Sequence, residues 1–388
     1  MSQRVYLDWN ATTPLRREAR EAMAAAWEAC GNPSSVHTEG REARRLVEEA
    51  RAAIAEASGA AARDVVFTSG GTEANALALA PGLRRGSGPP IGRLVVSAIE
   101  HASVLAGGRF SADQIEILGV TRSGAVDLER LPGLLAAMPP ALVSVMLANN
   151  ETGVIQPVAE VADIVHGAGG LLHVDAVQAF GKISCDISKL KADLVSVSAH
   201  KLGGPKGVGA LILADGVSGP PALLRGGGQE QGRRAGTENL PGIAGFGAAV
   251  SAAMASRELD MRRAESLRNR LETGLGRTLG LLVFGANKHR LPNTTLFSAP
   301  GLKAETAVIG FDLAGVAVSS GSACSSGKVQ PSHVLEAMGF GPDWARGAVR
   351  LSLGWSTTEE DIDRTLEAWR KLAGALLKHG DETVLERF

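Results

Sequence analysis

The chain has 388 residues, which is long enough for two or more domains and a large core. Its 40 basic and 41 acidic side chains nearly cancel, and only 4% of its residues are aromatic, so nucleic-acid binding has little support. The N-terminus turns polar too early for a signal peptide, and the most apolar long stretch, 243–255, is too short to cross a bilayer. We therefore expect no nucleic-acid partner and no membrane attachment.

The three cysteines, Cys30, Cys185 and Cys324, are far apart in the chain and show no metal-ligand spacing. A disulfide scaffold and a zinc site are therefore not expected, and no metal is predicted. A reducing, cytoplasmic location fits this use of cysteine. A free cysteine is most often a small buried hydrophobic residue, and we apply that interpretation to Cys30 and Cys185.

The first elements predicted are one strand and two helices, at 5–7, 15–29 and 39–57. A strand at 64–67 then runs into the glycine-rich turn 68–75, which contains Gly71 and Thr72, and a helix is predicted to follow at 76–79. Backbone N–H groups at such a turn, together with the positive potential of a helix N-terminus, can hold a phosphate. An ordinary capped turn is the competing interpretation. The lysine of a Walker motif is absent.

Polar residues also follow the next two strands, at 94–96 and 141–147. His101 comes just after the first of them, where an imidazole can lie on a ligand ring and exchange protons, although a lone histidine is more often structural. Asn150 follows the second strand. Its amide is a neutral donor and acceptor for a ring hydroxyl or a substrate carboxylate.

Two further strands end in an acid and in a lysine, Asp175 and Lys201. Neighbouring parallel strands would bring both to the same carboxyl edge, where open α/β sheets bind ligands. A lysine nitrogen that loses hydration has a lowered pKa and can form a Schiff base, although a lysine at a strand end more often points to solvent. Pyridoxal phosphate needs both groups, a lysine for covalent attachment and an acid that keeps its pyridine nitrogen protonated.

A helix at 158–168 and a strand at 208–213 continue the alternation of helices and strands. This alternation predicts a mostly parallel sheet with helices on both sides. The segment 226–239 is glycine-rich and polar, which by itself indicates a mobile surface loop. A long helical pattern at 241–279 then leads into a smaller α/β domain with strands at 281–284, 293–297 and 349–353 and helices at 304–312 and 358–377.

Taken together, these motifs resemble those of the fold-type I pyridoxal-phosphate enzymes, specifically the class V aminotransferase group that contains the cysteine desulfurases. The resemblance covers nearly the whole chain, with two departures, Trp9 and Trp355. It implies an α/β fold, with a large domain built on a mostly parallel, seven-stranded type of sheet flanked by helices, and a smaller α/β domain. The predicted large domain is 15–250, and the small domain is 1–14 with 251–388.

The resemblance also implies the site residues. The expected cofactor contacts are Gly71, Thr72, His101, Asn150, Asp175, Gln178, Ser198, His200, Lys201 and Thr237. Thr237 would act across a homodimer, completing the phosphate site of the other subunit. Arg350 would clamp the substrate carboxylate with its planar guanidinium, beside Asn150. Lys201, His101 and Cys324 would be catalytic.

Cys324 lies among small residues, Ser319-Ser320-Gly321-Ser322-Ala323, which leave a thiol accessible. Cysteine desulfurases carry their persulfide-forming cysteine in such a segment. The implied activity converts L-cysteine to L-alanine and leaves the sulfur on Cys324, from which it passes to an acceptor protein such as an iron–sulfur scaffold or a thiolation factor. Cys324 is also a candidate transient iron–sulfur ligand in that complex.

Two other functions compete with this one. Another enzyme with the same cofactor, a selenocysteine lyase or an aminotransferase, is the nearer alternative, but a transaminase has no need of a thiol at Cys324. A sulfur-carrier or assembly protein that kept the fold and lost the cofactor is the other alternative. Lys201, Asp175 and His101, all present, argue against it.

Overall fold

The structure, a computed structural model, describes residues 4–321 and 330–377. The strands are β1 Val5–Tyr6, β2 Val65–Thr68, β3 Arg93–Ser97, β4 Ile115–Leu118, β5 Ala141–Met146, β6 Leu171–Asp175, β7 Leu194–Ser198, β8 Gly209–Leu213, β9 Leu282–Val283, β10 Thr294–Ser298, β11 Val316–Ala317, β12 Ser319–Ser320 and β13 Val349–Ser352. The helices are α1 Arg17–Trp27, α2 Thr38–Ser58, α3 Gly71–Ala78, α4 Ala102–Leu105, α5 Leu131–Leu135, α6 Val158–Gly167, α7 Ile187–Leu190, α8 Leu240–Leu275, α9 Ala304–Leu313, α10 His333–Ala337, α11 Pro342–Gly347 and α12 Glu359–Leu376.

A seven-stranded sheet with the order β2-β8-β7-β6-β5-β3-β4 forms the larger part of the molecule. The pairs from β4 through β7 are parallel, and β8 is antiparallel to both of its neighbours. One face packs against residues of α1, α2, α6 and α8, and the other against α3 and α4. The predicted fold class, a mostly parallel sheet flanked by helices, is confirmed.

The three central strands β5, β6 and β7 are buried along their whole length. Continuous apolar runs of this kind are typical of a sheet that is covered on both faces. In their register, Asp175 pairs with Met146 on one side and with Ser196 on the other. The carboxyl ends of the three strands therefore lie side by side.

A second, smaller sheet has the antiparallel order β12-β13-β10-β9. Beside it, the N-terminal β1 pairs in parallel with β11. Helices α9 and α12 cover these strands, and Phe311 and Trp369 are fully buried in the core between them. The N-terminus thus joins the part of the fold formed mainly by the C-terminal third of the chain.

Helix α8 connects the two parts of the molecule. Phe246 and Val250 in its first half pack into the core of the large sheet, whereas Leu267 and Leu271 in its second half pack into the core of the small one. The helix runs without interruption through residue 250, which was the predicted boundary. The division at 250 stays a prediction.

Strand β4 was not predicted from the sequence. It is an edge strand whose residues are only partly buried, and Glu116 interrupts its apolar pattern, so it lacks the continuous run that marks the inner strands. Across residues 4–321 and 330–377, none of the helices combines the length and apolar character that a bilayer-crossing segment needs.

Candidate active site

The strands of the large sheet end around a cavity of about 270 Å³, and a second cavity of about 390 Å³ adjoins it at Gly71, Thr72 and His200. Most of the predicted site residues line the first cavity: Gly71, Thr72, His101, Asn150, Asp175, Gln178, Ser198, His200, Lys201 and Arg350. The tertiary structure therefore brings ten of the twelve together. Their individual roles stay predictions.

Lys201 lies in a short 3-10 turn, Ala199–Lys201, directly after β7. Its side chain is half-buried, and Nζ donates hydrogen bonds to the backbone oxygens of Asn10 and Ala11, the latter at 2.9 Å. The backbone of the N-terminal segment therefore lies against the Lys201 amine. The ammonium does not point to open solvent, the competing interpretation of a lysine at a strand end.

Asp175 ends β6 and is 5% exposed. Its Oδ1 accepts a hydrogen bond from the backbone N–H of Val177 at 2.9 Å, and its Oδ2 accepts one from Nδ2 of Asn75 at 2.8 Å. Two donors hold the carboxylate in one orientation. A buried, fixed carboxylate is the group that a protonated pyridine nitrogen requires.

The glycine-rich turn after β2 leads directly into α3. A Cβ on Gly71 would lie 2.8 Å from Cγ2 of Val177, so only glycine lets the start of the helix approach the strand end that carries Asp175. Gly70 adopts a φ of 153°, in the region that favours glycine. Gly71 and Thr72, at the start of α3, line both cavities, and the backbone N–H groups of a helix start suit a phosphate group.

A polar network lies behind Gln178. Its Nε2 donates to the backbone oxygen of Asn10 at 2.8 Å, and its Oε1 accepts from Nζ of Lys182 at 3.1 Å. Lys182 also contacts Oδ1 of Asn10 at 3.3 Å. Burial, together with the positive charges of Lys201 and Arg350, lowers the pKa of Lys182 to about 7. A second buried lysine therefore orients the amide of Gln178.

Arg350 lies on β13 and is 1% exposed. Its guanidinium donates to Oδ1 of Asp8 at 2.7 Å and to the backbone oxygen of Asn150 at 3.1 Å. Within the described residues, its Nε–H has no hydrogen-bond acceptor although the atom is buried. A buried guanidinium with an unused donor suits a carboxylate ligand.

The two histidines of the cavity are held differently. His200 contacts Oγ1 of Thr12 through Nδ1 at 3.2 Å, and burial, with Lys201 and Lys206 adding to it, lowers its pKa to about 4. It is therefore neutral near neutral pH. His101 precedes α4, and its Nδ1 contacts Oγ of Ser103 at 2.8 Å.

Two predicted residues are not in the cavity. Thr237 is exposed and is not among the residues that line either of the two cavities. Its loop is tied to helices α2 and α3 by ion pairs, Glu230 with Arg51 and Arg234 with Glu73. Cys324 lies outside the described residues.

The two tryptophans that depart from the family pattern contact each other. Trp9 and Trp355 pack edge to face with their ring centroids 4.6 Å apart, and the guanidinium of Arg16 lies 4.0 Å from the centre of the Trp355 ring. Trp9 is 2% exposed. The two departures are therefore one packing unit that joins the N-terminal segment to the end of β13.

Sequence reasoning missed several polar residues of the site. Asn75 was recoverable, because it lies four residues after Gly71 in α3, the spacing of one helical turn. Residues 178–182 are not helical, so the sequence held no comparable signal for Lys182. Ser103 and Asn10 had no such signal. In the part of the chain that the structure describes, no group of three or more His, Cys, Asp or Glu side chains is placed to hold a metal ion.

A model of the aminotransferase class-V family matches residues 5–365. A cysteine desulfurase of Cereibacter sphaeroides is 45% identical over 94% of this chain and 94% of its own length. The cysteine desulfurase IscS of Dictyoglomus turgidum is 41% identical over 96% of this chain and 95% of its own.

A solved structure agrees with these sequence matches. The NifS-like protein of Rickettsia africae is 37% identical and superposes with a TM-score of 0.87 over 96% of this chain and all of that one. The family match spans nearly the whole chain, including every site residue described above. The chain therefore belongs to the aminotransferase class-V family of pyridoxal-phosphate-dependent enzymes.

Proposed function

We propose that this protein is a cysteine desulfurase, which converts L-cysteine to L-alanine and retains the sulfur on Cys324 as a persulfide. Relatives with this activity in their names are 45% and 41% identical over nearly the full length. The observation that carries the proposal is the convergence of Lys201, Asp175 and Arg350 on one cavity. These are an amine, an acid and a carboxylate-binding group, contributed by segments far apart in the chain.

The cavity fits pyridoxal phosphate. Lys201 would hold it covalently, Asp175 would pair with its ring nitrogen, and the start of α3 at Gly71 and Thr72 would hold its phosphate. When bound, the cofactor supplies an electron sink that stabilises negative charge on the substrate carbon. His101 would lie against its ring, and Gln178 would contact its hydroxyl. Ser198, His200 and Asn150 line the same space.

Arg350 would orient the substrate. Asp8 and the Asn150 backbone already hold its guanidinium in place, and its Nε–H has no acceptor within the described residues. A carboxylate of L-cysteine would accept from this donor, and the Asn150 amide would offer a second polar contact. Because the Arg350 guanidinium is already held in place, orienting the substrate sulfur costs less entropy.

Lys201 or His101 would move protons at the substrate. The sulfur step belongs to Cys324: its thiolate attacks the substrate sulfur, a new S–S bond forms, and the C–S bond breaks. The electron pair of that bond stays on the carbon, which is then protonated to give alanine. L-cysteine and an enzyme thiol thus become L-alanine and an enzyme persulfide, with no other oxidant or reductant.

We propose that the active form is a homodimer in which Thr237 contacts the phosphate held by the partner subunit. The exposed position of Thr237, outside the cavities of its own subunit, supports this arrangement. The persulfide would pass to an acceptor protein such as an iron–sulfur scaffold, with Cys324 as a candidate transient iron–sulfur ligand there. A cytoplasmic location, which the widely spaced cysteines favour, stays a prediction.

Replacement of Cys324 tests the function. A hydroxyl is a much weaker nucleophile toward sulfur, so Cys324→Ser should bind cofactor and change its absorption with L-cysteine, yet form alanine at least about a hundredfold more slowly. Alanine and sulfide are measured in the presence of a reducing thiol. Near-normal alanine formation by Cys324→Ser would reject the desulfurase mechanism and favour a lyase.

The other two cysteines provide matched controls. Cys185 is buried, and burial raises the pKa of its thiol to about 12, so it is inert near neutral pH. Cys30 is exposed. Cys30→Ser and Cys185→Ser should both keep turnover within about twofold of the parent protein, since neither lines the cavity.

A further inference from the structure

The orientation of the His101 ring is set by its own neighbours. Nδ1 of His101 accepts a hydrogen bond from the backbone N–H of Ser103 at 3.2 Å, as the side chain caps α4. A backbone N–H is only a donor, so Nδ1 must carry a lone pair. The proton of the neutral imidazole is then on Nε2.

A side-chain contact points to the same tautomer. Oγ of Ser103 lies 2.8 Å from Nδ1 of His101 and 3.0 Å from Nδ2 of Asn75. Because the Asn75 amide donates to this hydroxyl, the hydroxyl uses one lone pair there. Its single proton is left for Nδ1 of His101.

The orientation of Asn75 is in turn imposed by Asp175. Nδ2 of Asn75 donates to Oδ2 of Asp175 at 2.8 Å, and the amide is 1% exposed. A flipped amide would place its oxygen against the carboxylate and repel it. Oδ1 of Asn75 has no hydrogen-bond partner in the described part of the chain, so nothing on that side favours the flip.

We propose that Asn75 and Ser103 are positioning residues that connect the Asp175 carboxylate to His101 and hold the imidazole as its Nε2–H tautomer. The Asn75 amide donates both to the Asp175 carboxylate and to the Ser103 hydroxyl, and the hydroxyl in turn donates to Nδ1 of His101. Any hydrogen bond that Nε2 makes to a bound ligand is then one that His101 donates.

The tautomer assigns a direction to proton transfer in the proposed function. This assignment rests on the proposed function, whereas the tautomer itself does not. A ring that carries a proton on Nε2 donates there and accepts only after it has given that proton up. Between the two proton-moving groups of the cavity, Lys201 is then the one that removes a proton from the substrate. His101 supplies one. Ser103 and Asn75 act through His101, which they contact directly or through one another.

The tautomer is measured directly on the cofactor-loaded protein without substrate. The chain has eight histidines, so the protein is labelled with ¹⁵N-histidine, and the His101 signals are assigned by their loss in His101→Gln. We expect the ¹⁵N–¹H correlations of an Nε2–H ring with a hydrogen-bonded, unprotonated Nδ1. A proton on Nδ1 would overturn the proposal, and this measurement needs no variant at the positions in question.

Variants at position 103 then test the side-chain contact. Ser103→Ala keeps the backbone donor and loses the hydroxyl, so the Nδ1 resonance should move toward that of a nitrogen with fewer hydrogen bonds. The kcat for L-cysteine should fall about threefold to tenfold, the effect of one hydrogen bond. Ser103→Thr should restore both values. An unchanged Nδ1 resonance in Ser103→Ala would refute the role of the hydroxyl.

A matched control exists elsewhere in the sheet. Oγ of Ser144 lies 2.8 Å from Nδ1 of the buried His173, the same kind of contact at the same distance. Ser144→Ala should move the His173 signals and leave those of His101 and the kcat in place. A change at His101 in this control would mean that the Ser103→Ala shift reports general repacking, which would overturn the assignment.

The two proposals fail in different ways. If the protein forms no alanine from L-cysteine, the function is wrong, while the tautomer of His101 is still read from the resonances without substrate. If alanine forms and His101 carries its proton on Nδ1, the desulfurase function stands and the positioning role of Asn75 and Ser103 is wrong.

Discussion

Glu100 is fully buried next to His101 in the chain. Its Oε1 accepts hydrogen bonds from Oγ of Ser97 and from the backbone N–H of Met146, while Oε2 has no partner within the described residues. Burial and the nearby Asp175 carboxylate outweigh the opposing effect of the two hydrogen bonds and raise the pKa of Glu100 to about 8. Glu100 is therefore protonated and neutral near neutral pH.

This pKa predicts how stability depends on pH. The folded-state pKa of Glu100 lies above the ordinary value of 4.5, so between about pH 4.5 and 8 the folded protein binds the extra proton. The contribution of this group to the free energy of unfolding is complete below that window and is lost as pH rises through it, at up to about 1.4 kcal/mol per pH unit.

Glu100→Gln removes this ionisation while it keeps the side-chain shape. The free energy of unfolding of Glu100→Gln relative to the parent protein should therefore increase between pH 5.5 and pH 8, as measured by urea unfolding at both values. Glu360→Gln, at an exposed site, should stay within about 0.5 kcal/mol of the parent at each pH. A pH-independent difference for Glu100→Gln would contradict the burial argument.

At the scale of elements, the loop that carries Thr237 is anchored by one buried ion pair. The carboxylate of Glu230 accepts two hydrogen bonds from Arg51 of α2, at 2.7 and 2.8 Å, and a third from the backbone N–H of Phe67 at 2.8 Å. Glu230 and Gln231 both have positive φ values, 49° and 57°. The three hydrogen bonds offset the strain of this backbone conformation.

Loss of this anchor should loosen the loop. Glu230→Ala removes the buried partner of the Arg51 guanidinium and leaves it only the more exposed Glu48 as an ion-pair partner, so we expect a destabilisation of at least about 2 kcal/mol. Trypsin cleavage after Arg233 and Arg234, followed by mass spectrometry, should also become faster in the native protein. Asp215→Ala removes an ion pair with Arg63 that is exposed, and it should cost at most about 1 kcal/mol without affecting cleavage. Equal effects of the two variants would contradict this anchor.

At the scale of the whole molecule, the site depends on segments from both ends of the chain. Asn10 and Ala11 come from the N-terminal segment, as does Asp8, which holds the Arg350 guanidinium of β13, and the remaining cavity residues come from the part of the fold that is built on the large sheet. The two parts of the fold must therefore be docked on each other for Arg350 to face Lys201. Thr237, which lies outside the cavity, is expected to reach the site of a second subunit.

Mixed dimers test this last expectation. The Lys201→Ala homodimer is expected to lose its activity, and the Thr237→Ala homodimer is expected to lose part of it. If Thr237 acts on the partner subunit, one site of each mixed dimer is intact, and random reassociation of equal amounts restores about a quarter of the sites. Alanine formation is measured before and after mixing. If Thr237 serves its own subunit, mixing restores nothing, because every site then carries one of the two substitutions.

The sequence by itself determined the fold class and ten of the residues that line the cavity. Most of these residues end or follow buried strands or begin a helix, so the local pattern of apolar runs and glycines was enough to predict where they would lie. Gln178, Ser198, His200 and Arg350, the last of which lies within β13, were expected at the site only from the family resemblance. Gly71, Asp175 and Lys201 are examples, since each is placed at the carboxyl edge by the element beside it. Resemblance to a family then connected them to one cofactor.

Only the tertiary structure decided which polar groups face one another. The contacts from Asp175 through Asn75 and Ser103 to His101 join three separate segments, and no local pattern specifies such a meeting. The packing of Trp9 on Trp355 and the antiparallel direction of β8 were likewise not predictable. The physical reason is that strand direction and long-range contacts depend on how segments far apart in the chain pack together. Strand ends and helix caps depend instead on residues that are neighbours in the chain.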